Sequence, residues 1–354
     1  MRVDRRAFLL SVAAAASCSW TPERSSLRRA AQYLWEQQAA DGGFHSATYG
    51  LLRSGRSLTP FVLGALLRVP DATLPAPPGA IDRAVVFIRR HTSVDGAAGV
   101  AGGDADYPNY ATALAVAALA AAQRRSWTAD IAPLVAHLRA QQFSEANGWT
   151  PDHPAYGGWG MGGAIRRPPE AGHVDLSMTR FVLEALRASG IDGSDPAMTR
   201  ACVFLRRSQN SDGGFFFSPV MPALNKAGQV AEAFVSYGTA TADGVLALRA
   251  AGVPDGDDRI GRAIAWLDGN HQPDGVPGFD DAESPEASWR TGLRFYYAAA
   301  IARVRPQQRV RLPLQADDGS FRNANGRVKE DDPLIATTLA VQTITRAGIE
   351  PVVM

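Results

Sequence analysis

Three carboxylates stand where an acid could do chemistry: Asp175 and Asp332 at the starts of apolar segments and Asp243 inside one. An aspartate buried there must be paired or neutral. A neutral carboxylic acid in a dry aromatic pocket can donate a proton to an apolar substrate, whereas two carboxylates facing across a polar groove can hydrolyse a glycosidic bond. Around them fall Tyr110, His173, Arg180, Tyr237, Trp289, Arg290 and Arg294, the residue types of a ligand-binding mouth. Arg180, Arg290 or Arg294 could pair with Asp243, either within a site or as a structural ion pair between helices. His153, His173 and Asp175 could together hold a metal, but three polar residues in a glycine-rich loop are better read as loop formers. Rossmann glycines, a haem-binding cysteine pair and a P-loop are all absent, so no metal or cofactor is expected.

The elements that must position these residues repeat. Apolar residues recur at i, i+3, i+4 and i+7 in five places: Leu27 to Leu34, Ile81 to Ile88, Ile131 to Leu138, Met198 to Leu205 and Ile260 to Leu267. Each is one stripe of an amphipathic helix. Turn signals follow at Asp41-Gly42, Asp95-Gly96, Asn147-Gly148, Asp212-Gly213, Asp274-Gly275 and Asp318-Gly319, spaced by 54, 52, 65, 62 and 44 residues. The sixth turn has no stripe before it, so the last unit is expected to lack its first helix.

Each unit then carries a second helix, apolar around most of its circumference and therefore buried. These run from Leu58 to Val69, Tyr110 to Ala122, Leu176 to Ala188, Thr239 to Ala250, Thr291 to Arg303 and Leu334 to Ala347. A threonine recurs in them at Thr112, Thr179, Thr241, Thr291 and Thr337, with Pro60 in its place in the first. Such a threonine can bond its own i−4 carbonyl while its methyl packs. One-sided helices alternating with buried ones predict an all-α fold, an (α/α)6-type toroid whose sixth outer helix is degenerate. An open solenoid has the same period, but it would leave six apolar faces exposed. Two long loops, 147–173 and 216–235, fall at the mouth, either as a lid for an apolar ligand or as a platform for a partner protein.

Lys plus Arg number 36 and Asp plus Glu 35, for a net charge of +1, and no run of like charge suggests a nucleic-acid partner. Hydrophobic residues make up 46% of the 354, enough for a large core rather than a disordered chain. The first twenty residues look like an address: Asp4-Arg5-Arg6-Ala7-Phe8-Leu9-Leu10 resembles a twin-arginine export signal, too short to be a membrane span. Ala15-Ala16-Ser17-Cys18 is similar to a lipobox, which makes Cys18 a candidate lipidation site. The expected location is the periplasm or cell envelope, with a membrane contact only through that lipid. An uncleaved N-terminal helix is the alternative. The toroid is expected over 25–350.

The units Gln37-Gln38-Ala39-Ala40-Asp41-Gly42-Gly43-Phe44 and Ser208-Gln209-Asn210-Ser211-Asp212-Gly213-Gly214-Phe215 resemble the QxxDGGF repeat of squalene-hopene cyclases and protein prenyltransferase β subunits. Residues 154–163, 174–190 and 331–344 look like exported bacterial members of this squalene-cyclase-like group. The repeat specifies the fold and leaves the reaction open. Class II terpene cyclases of this kind use an acidic DxDD motif at the mouth. The match here, Asp255-Gly256-Asp257-Asp258, lies in the turn after the fourth inner helix, at the other pole, where it suits helix capping. Lys329-Glu330-Asp331-Asp332 lies at the right pole but lacks the first aspartate and runs into Pro333. A zinc transferase would need a cysteine ligand on an inner helix, and Cys202 belongs to an outer stripe.

The resemblance therefore implies a toroid without the family acid or the partner β domain. It is expected to bind an apolar or peptide ligand, or a cell-envelope protein, at its mouth. The alternatives are a terpene cyclase using Asp175, Asp243 or Asp332, or a carbohydrate-active enzyme.

Overall fold

The computed structural model describes residues 22–99, 106–122, 127–279 and 286–346. The leader segment, Cys18 and the end of the last expected helix lie outside these residues.

The five stripes form the outer helices α1 (Pro22–Glu36), α3 (Ala80–Arg90), α5 (Thr128–Ala140), α7 (Pro196–Arg207) and α9 (Asp258–Gly269). The apolar segments form the inner helices α2 (Leu58–Leu66), α4 (Pro108–Ala121), α6 (Leu176–Ala188), α8 (Gly238–Ala250), α11 (Arg294–Val304) and α12 (Pro333–Arg346). One short turn of helix, α10 (Trp289–Gly292), precedes α11. Each inner helix packs on the next, α2 on α4 through to α11 on α12, and α12 returns to pack on α2. The ring is closed, so the apolar inner faces are buried against one another. In α8, twelve of the thirteen residues are buried, Arg249 at the C-terminal end being the exception. Among the described residues no helix lies between Val304 and Pro333. The outer position there is filled by an extended segment, tied down by the Arg311 amide donating to the Pro273 carbonyl at 2.7 Å.

The QxxDGG string has a mechanical explanation. Gln38, Gln142, Gln209 and Gln315 each donate one side-chain hydrogen bond to a turn glycine carbonyl (Gly42, Gly157, Gly213 and Gly319) and one to a carbonyl near the start of the next outer helix (Ala80, Ala197, Arg259 and Ser26). The following outer helix also presses on the turn glycine. A Cβ there would stand 2.0 Å from the Arg200 carbonyl oxygen at Gly157 and 2.5 Å from that of Arg29 at Gly319, and both glycines have positive φ. Only glycine combines that backbone with that approach. The third turn is therefore Tyr156-Gly157-Gly158-Trp159 rather than Asn147-Gly148, whose glycine meets only the Pro168 ring. The long loop inserted between Gln142 and Tyr156 conceals the repeat.

The threonine row locks turn to inner helix. Thr59, Thr112, Thr179, Thr241 and Thr337 accept from the backbone amides of Phe44, Ala98, Trp159, Phe215 and Phe321, at 2.8 to 3.1 Å. Thr112, Thr179 and Thr241 also donate to their i−4 carbonyls. Both capacities of a buried hydroxyl are thereby met. Two expectations change: Thr59, not Pro60, takes the first position, and Thr291 is exposed in α10, where it contacts Ser288 and Asn325. The fifth unit departs because its inner helix breaks at Leu293. Glu330, just before the neighbouring helix α12, caps the restarted helix, accepting from the Phe295 and Tyr296 amides at 3.0 and 2.8 Å.

Candidate functional site

The N-terminal halves of the inner helices enclose a cavity of about 310 Å³, at the lower end of the size range of small-molecule sites. Every inner helix contributes to its wall: Phe61 from α2, Tyr110 from α4, Met178 from α6, Ala240 from α8, Tyr296 from α11 and Leu339 from α12. The two long loops contribute to its rim. Met161 comes from the first, held by the Asn109 amide donating to the Met161 carbonyl and by the short ladder pairing Trp159–Gly160 (β1) with Val174–Asp175 (β2). Phe217 and Lys226 come from the second, in which Asn225 folds the chain back by accepting from the Phe217 and Ser218 amides.

Asp243 lies in this wall with 2% of its surface exposed. Its Oδ1 accepts from Arg180 Nη1 at 2.7 Å and its Oδ2 from the Tyr296 hydroxyl at 2.8 Å. Burial pushes the carboxyl pKa up, against the lowering influence of the Arg180 charge and the Tyr296 hydrogen bond. Ser177 Oγ meets the Tyr296 hydroxyl at 2.6 Å, completing a polar patch in an otherwise apolar chamber. Behind Asp243 the ion chain continues: Arg180 Nε donates to Glu184 at 3.0 Å, and Glu184 also pairs with Arg303 at 3.0 Å. Burial would raise Glu184, but the two guanidiniums together hold it down to about 2. This chain separates the cavity from a depression at the opposite pole, which Glu184 and Arg303 help to line.

Asp175 also lines the cavity. It caps α6, with Oδ1 accepting from the Met178 amide at 2.7 Å, and its Oδ2 lies 2.6 Å from His173 Nε2. Among the described residues no three His, Cys, Asp or Glu side chains gather as a metal site. His153 instead packs its ring against Trp149, 4.6 Å between centroids.

The structure thus brings Tyr110, His173, Asp175, Tyr237 and Asp243 into one wall. Arg180 stands behind it as the counter-ion of Asp243. Asp332 lies outside the cavity: it caps α12 through the Leu334 amide at 2.9 Å and accepts from Ser46 of the first unit. Trp289, Arg290 and Arg294 do not line it either. The break at Leu293 turns them aside, so that Arg294 donates to the Asp274 carbonyl and Arg290 lies against Gly275. The string Asp255-Gly256-Asp257-Asp258 caps α9, with Asp257 accepting from the Arg259 amide at 2.9 Å. Tyr296 and Phe61 line the cavity without having been expected there, while Phe217 and Lys226 arrive with the loop expected at the mouth, and Lys329 and Glu330 with the string expected at that pole. The offset of α11 and the folds of the loops decide their position, and no periodicity in the sequence signals it.

Residues 172–285 match the squalene-hopene cyclase C-terminal domain. No curated protein matches the chain by sequence. Among solved structures, the type II terpene cyclase MstE from Scytonema is similar at a TM-score of 0.54 and 15% identity, covering 92% of this chain and 99% of that one. A variant of MstE in complex with its substrate, geranylgeranyl dihydroxybenzoate, scores 0.55 at 14% identity, covering 92% and 97%. The GH76 α-mannanase of Bacteroides thetaiotaomicron scores 0.50 at 9% identity, covering 92% and 96%. At these identities the likeness shows the fold alone. The closed ring makes this chain an α/α toroid, and over residues 172–285 it is similar to the squalene-hopene cyclase C-terminal domain.

Proposed function

We propose that this toroid takes an apolar, isoprenoid-like molecule into its central cavity, acting in the cell envelope after twin-arginine export. The observation that carries the reading is the cavity itself: a predominantly apolar chamber, open at its mouth, at the ring centre, walled by Phe61, Tyr110, Phe217, Tyr237, Met178 and Leu339. A chamber of that composition gains from burying hydrocarbon and has few groups to hydrogen-bond a sugar. This disfavours the carbohydrate-active alternative, since Asp175 and Asp243 are both already engaged by neighbours. A peptide is also a poorer fit, because its backbone would need partners the apolar wall does not provide.

Cyclisation is the second reading, favoured by the raised carboxyl of Asp243 at the polar end of this wall. In its protonated form Asp243 would give its proton to an alkene carbon, forming a new C–H bond and leaving a carbocation at the neighbouring carbon. Tyr110, Phe217 and Tyr237 would offer their ring faces to that charge. An internal alkene attacks the cation to close a ring, and loss of a proton from carbon regenerates the acid.

The test is incubation of the purified protein with isoprenoid hydrocarbons, alcohols and acids of increasing length. Bound ligand is followed by displacement of an apolar fluorescent probe, and products by mass spectrometry. Saturable binding that Ala240→Trp blocks is expected. Cyclic products lost in Asp243→Asn would establish the enzyme, and binding without products would establish the carrier. Failure of every isoprenoid to displace the probe would overturn both.

A further inference from the structure

The chain has 36 basic residues other than histidine, and only two of them are lysines, Lys226 and Lys329. Both line the central cavity. Arginine serves the ion pairs everywhere else, from the Arg305–Asp268 pair on the surface to the buried Arg180–Asp243 pair. A compact ammonium is therefore confined to one place in the molecule, where two loops converge on the mouth.

Neither ammonium makes a hydrogen bond or a salt bridge to another described residue. Lys226 Nζ lies 3.6 Å from the centroid of the Phe217 ring and 5.5 Å from that of Trp289. Lys329 Nζ lies 5.7 Å from the Tyr49 ring and 5.9 Å from that of Tyr107. Aromatic faces hold a cation in place without using its N–H donors, three of which remain on each lysine. The carboxylates that share the wall are already engaged: Asp243 with Arg180 and Tyr296, Asp175 with His173 and the Met178 amide, Glu330 with two amides and Asn323. Burial of Lys226 lowers its pKa to about 8, against the raising influence of Asp175 and Asp243, the mark of an ammonium short of close acceptors.

The backbone points to the same place. Of the three non-glycine residues with positive φ among those described, Tyr107 at 43° and Lys329 at 65° both line the cavity. They face each other through the ammonium–ring contact. Left-handed backbone costs energy for such residues and persists where the surroundings impose it, often at ligand sites.

We propose that Lys226 and Lys329 form an anionic head-group subsite, so that the cavity ligand is an amphiphile: an apolar chain in the aromatic chamber, ending in one carboxylate or phosphate at the two ammonium groups. The inference rests on the isoprenoid-binding reading and adds the chemical class of the ligand's polar end. The head group supplies the acceptors the lysines lack, and the chain supplies the apolar surface.

A matched series tests it: a fifteen-carbon isoprenoid alcohol, the acid of the same chain, and its monophosphate, each titrated against the full chain by probe displacement at pH 7. The acid or the phosphate should bind at least tenfold tighter than the alcohol, and whichever leads identifies the head group. In Lys226→Met the preference should fall to less than threefold, and Lys226→Arg should restore part of it. Lys329→Met should reduce it independently. Equal affinity for alcohol, acid and phosphate in the unaltered chain would overturn the subsite while leaving the apolar-cavity reading intact. Absence of binding by any of the three would overturn the cavity reading as well. The comparison in the unaltered chain needs no variant to fold.

Discussion

Gln315 donates its side-chain amide to the backbone carbonyl of Ser26 at 3.0 Å, across 289 residues of sequence. The same side chain donates to the Gly319 carbonyl at 2.8 Å and accepts from the Ser26 hydroxyl at 2.9 Å. Gln38, Gln142 and Gln209 tie each turn to the next outer helix in the same way. In Gln315 the next helix is the first, and the tie closes the ring.

Replacement Gln315→Ala should therefore cost about 1–3 kcal/mol, the sum for losing two part-buried hydrogen bonds at about 0.5–1.5 kcal/mol each. Urea unfolding would register it as a lower midpoint at unchanged slope. A comparable loss in Gln38→Ala would show that closing the ring and joining adjacent units rest on the same interaction. A neutral Gln315→Ala would mean that closure depends on helix packing alone.

The assignment of the third turn predicts unequal effects for two glycines 9 residues apart. Gly157→Ala must place a Cβ 2.0 Å from the Arg200 carbonyl oxygen at a φ of +85°, whereas Gly148→Ala meets only a proline ring atom at 3.5 Å. The first should lose at least about 3 kcal/mol and the second about 1 kcal/mol, the backbone strain alone. Thermal or urea unfolding of the two variants side by side decides it. Equal losses would return the turn to Asn147-Gly148.

Glu330 gives a pH dependence of definite sign. Burial pushes its carboxyl up to about 7 from an ordinary 4.5, against the lowering influence of the Tyr296 and Phe295 amides and the Asn323 side chain. Between those two values the folded chain holds more protons than the unfolded one, so stability falls as pH rises through the window. The span corresponds to at most about 3 kcal/mol at about 1.4 kcal/mol per pH unit. The contribution is fully present below 4.5 and lost above 7. Unfolding free energies measured from pH 4.5 to 7.5 should decline more steeply for the unaltered chain than for Glu330→Gln, where this proton is absent.

The buried ion chain should behave as a unit. Arg180→Met removes the partner shared by Asp243 and Glu184, which are 2% exposed and half-buried respectively. A loss of about 3–5 kcal/mol is expected, because a buried charge is left uncompensated. Adding Asp243→Asn to that variant should recover part of the loss, giving a coupling of more than about 1 kcal/mol in a double-mutant cycle. Additive losses would show that the two side chains act separately.

Much of this molecule was legible in its residues, for a local reason. Apolar stripes of period 3.6 mark outer helices, and continuous apolar segments mark inner ones, because burial on one side or all round writes itself into composition. Alternation of the two favours a closed ring, and Asp175, His173, Tyr110 and Tyr237 fall at the mouth because they lie at the N-terminal ends of inner helices, with Asp243 about one turn further in. The aspartate string before α9 could likewise be recognised as a cap. Tertiary structure decided the remainder. The break at Leu293, fixed by Glu330 through the Phe295 amide 35 residues away, turned Trp289, Arg290 and Arg294 out of the site and brought Tyr296 onto Asp243. The folds of two loops carried Lys226 and Lys329 to one cavity. Neither outcome has a periodicity, since each depends on which distant side chain satisfies a backbone donor or leaves a cation without a partner.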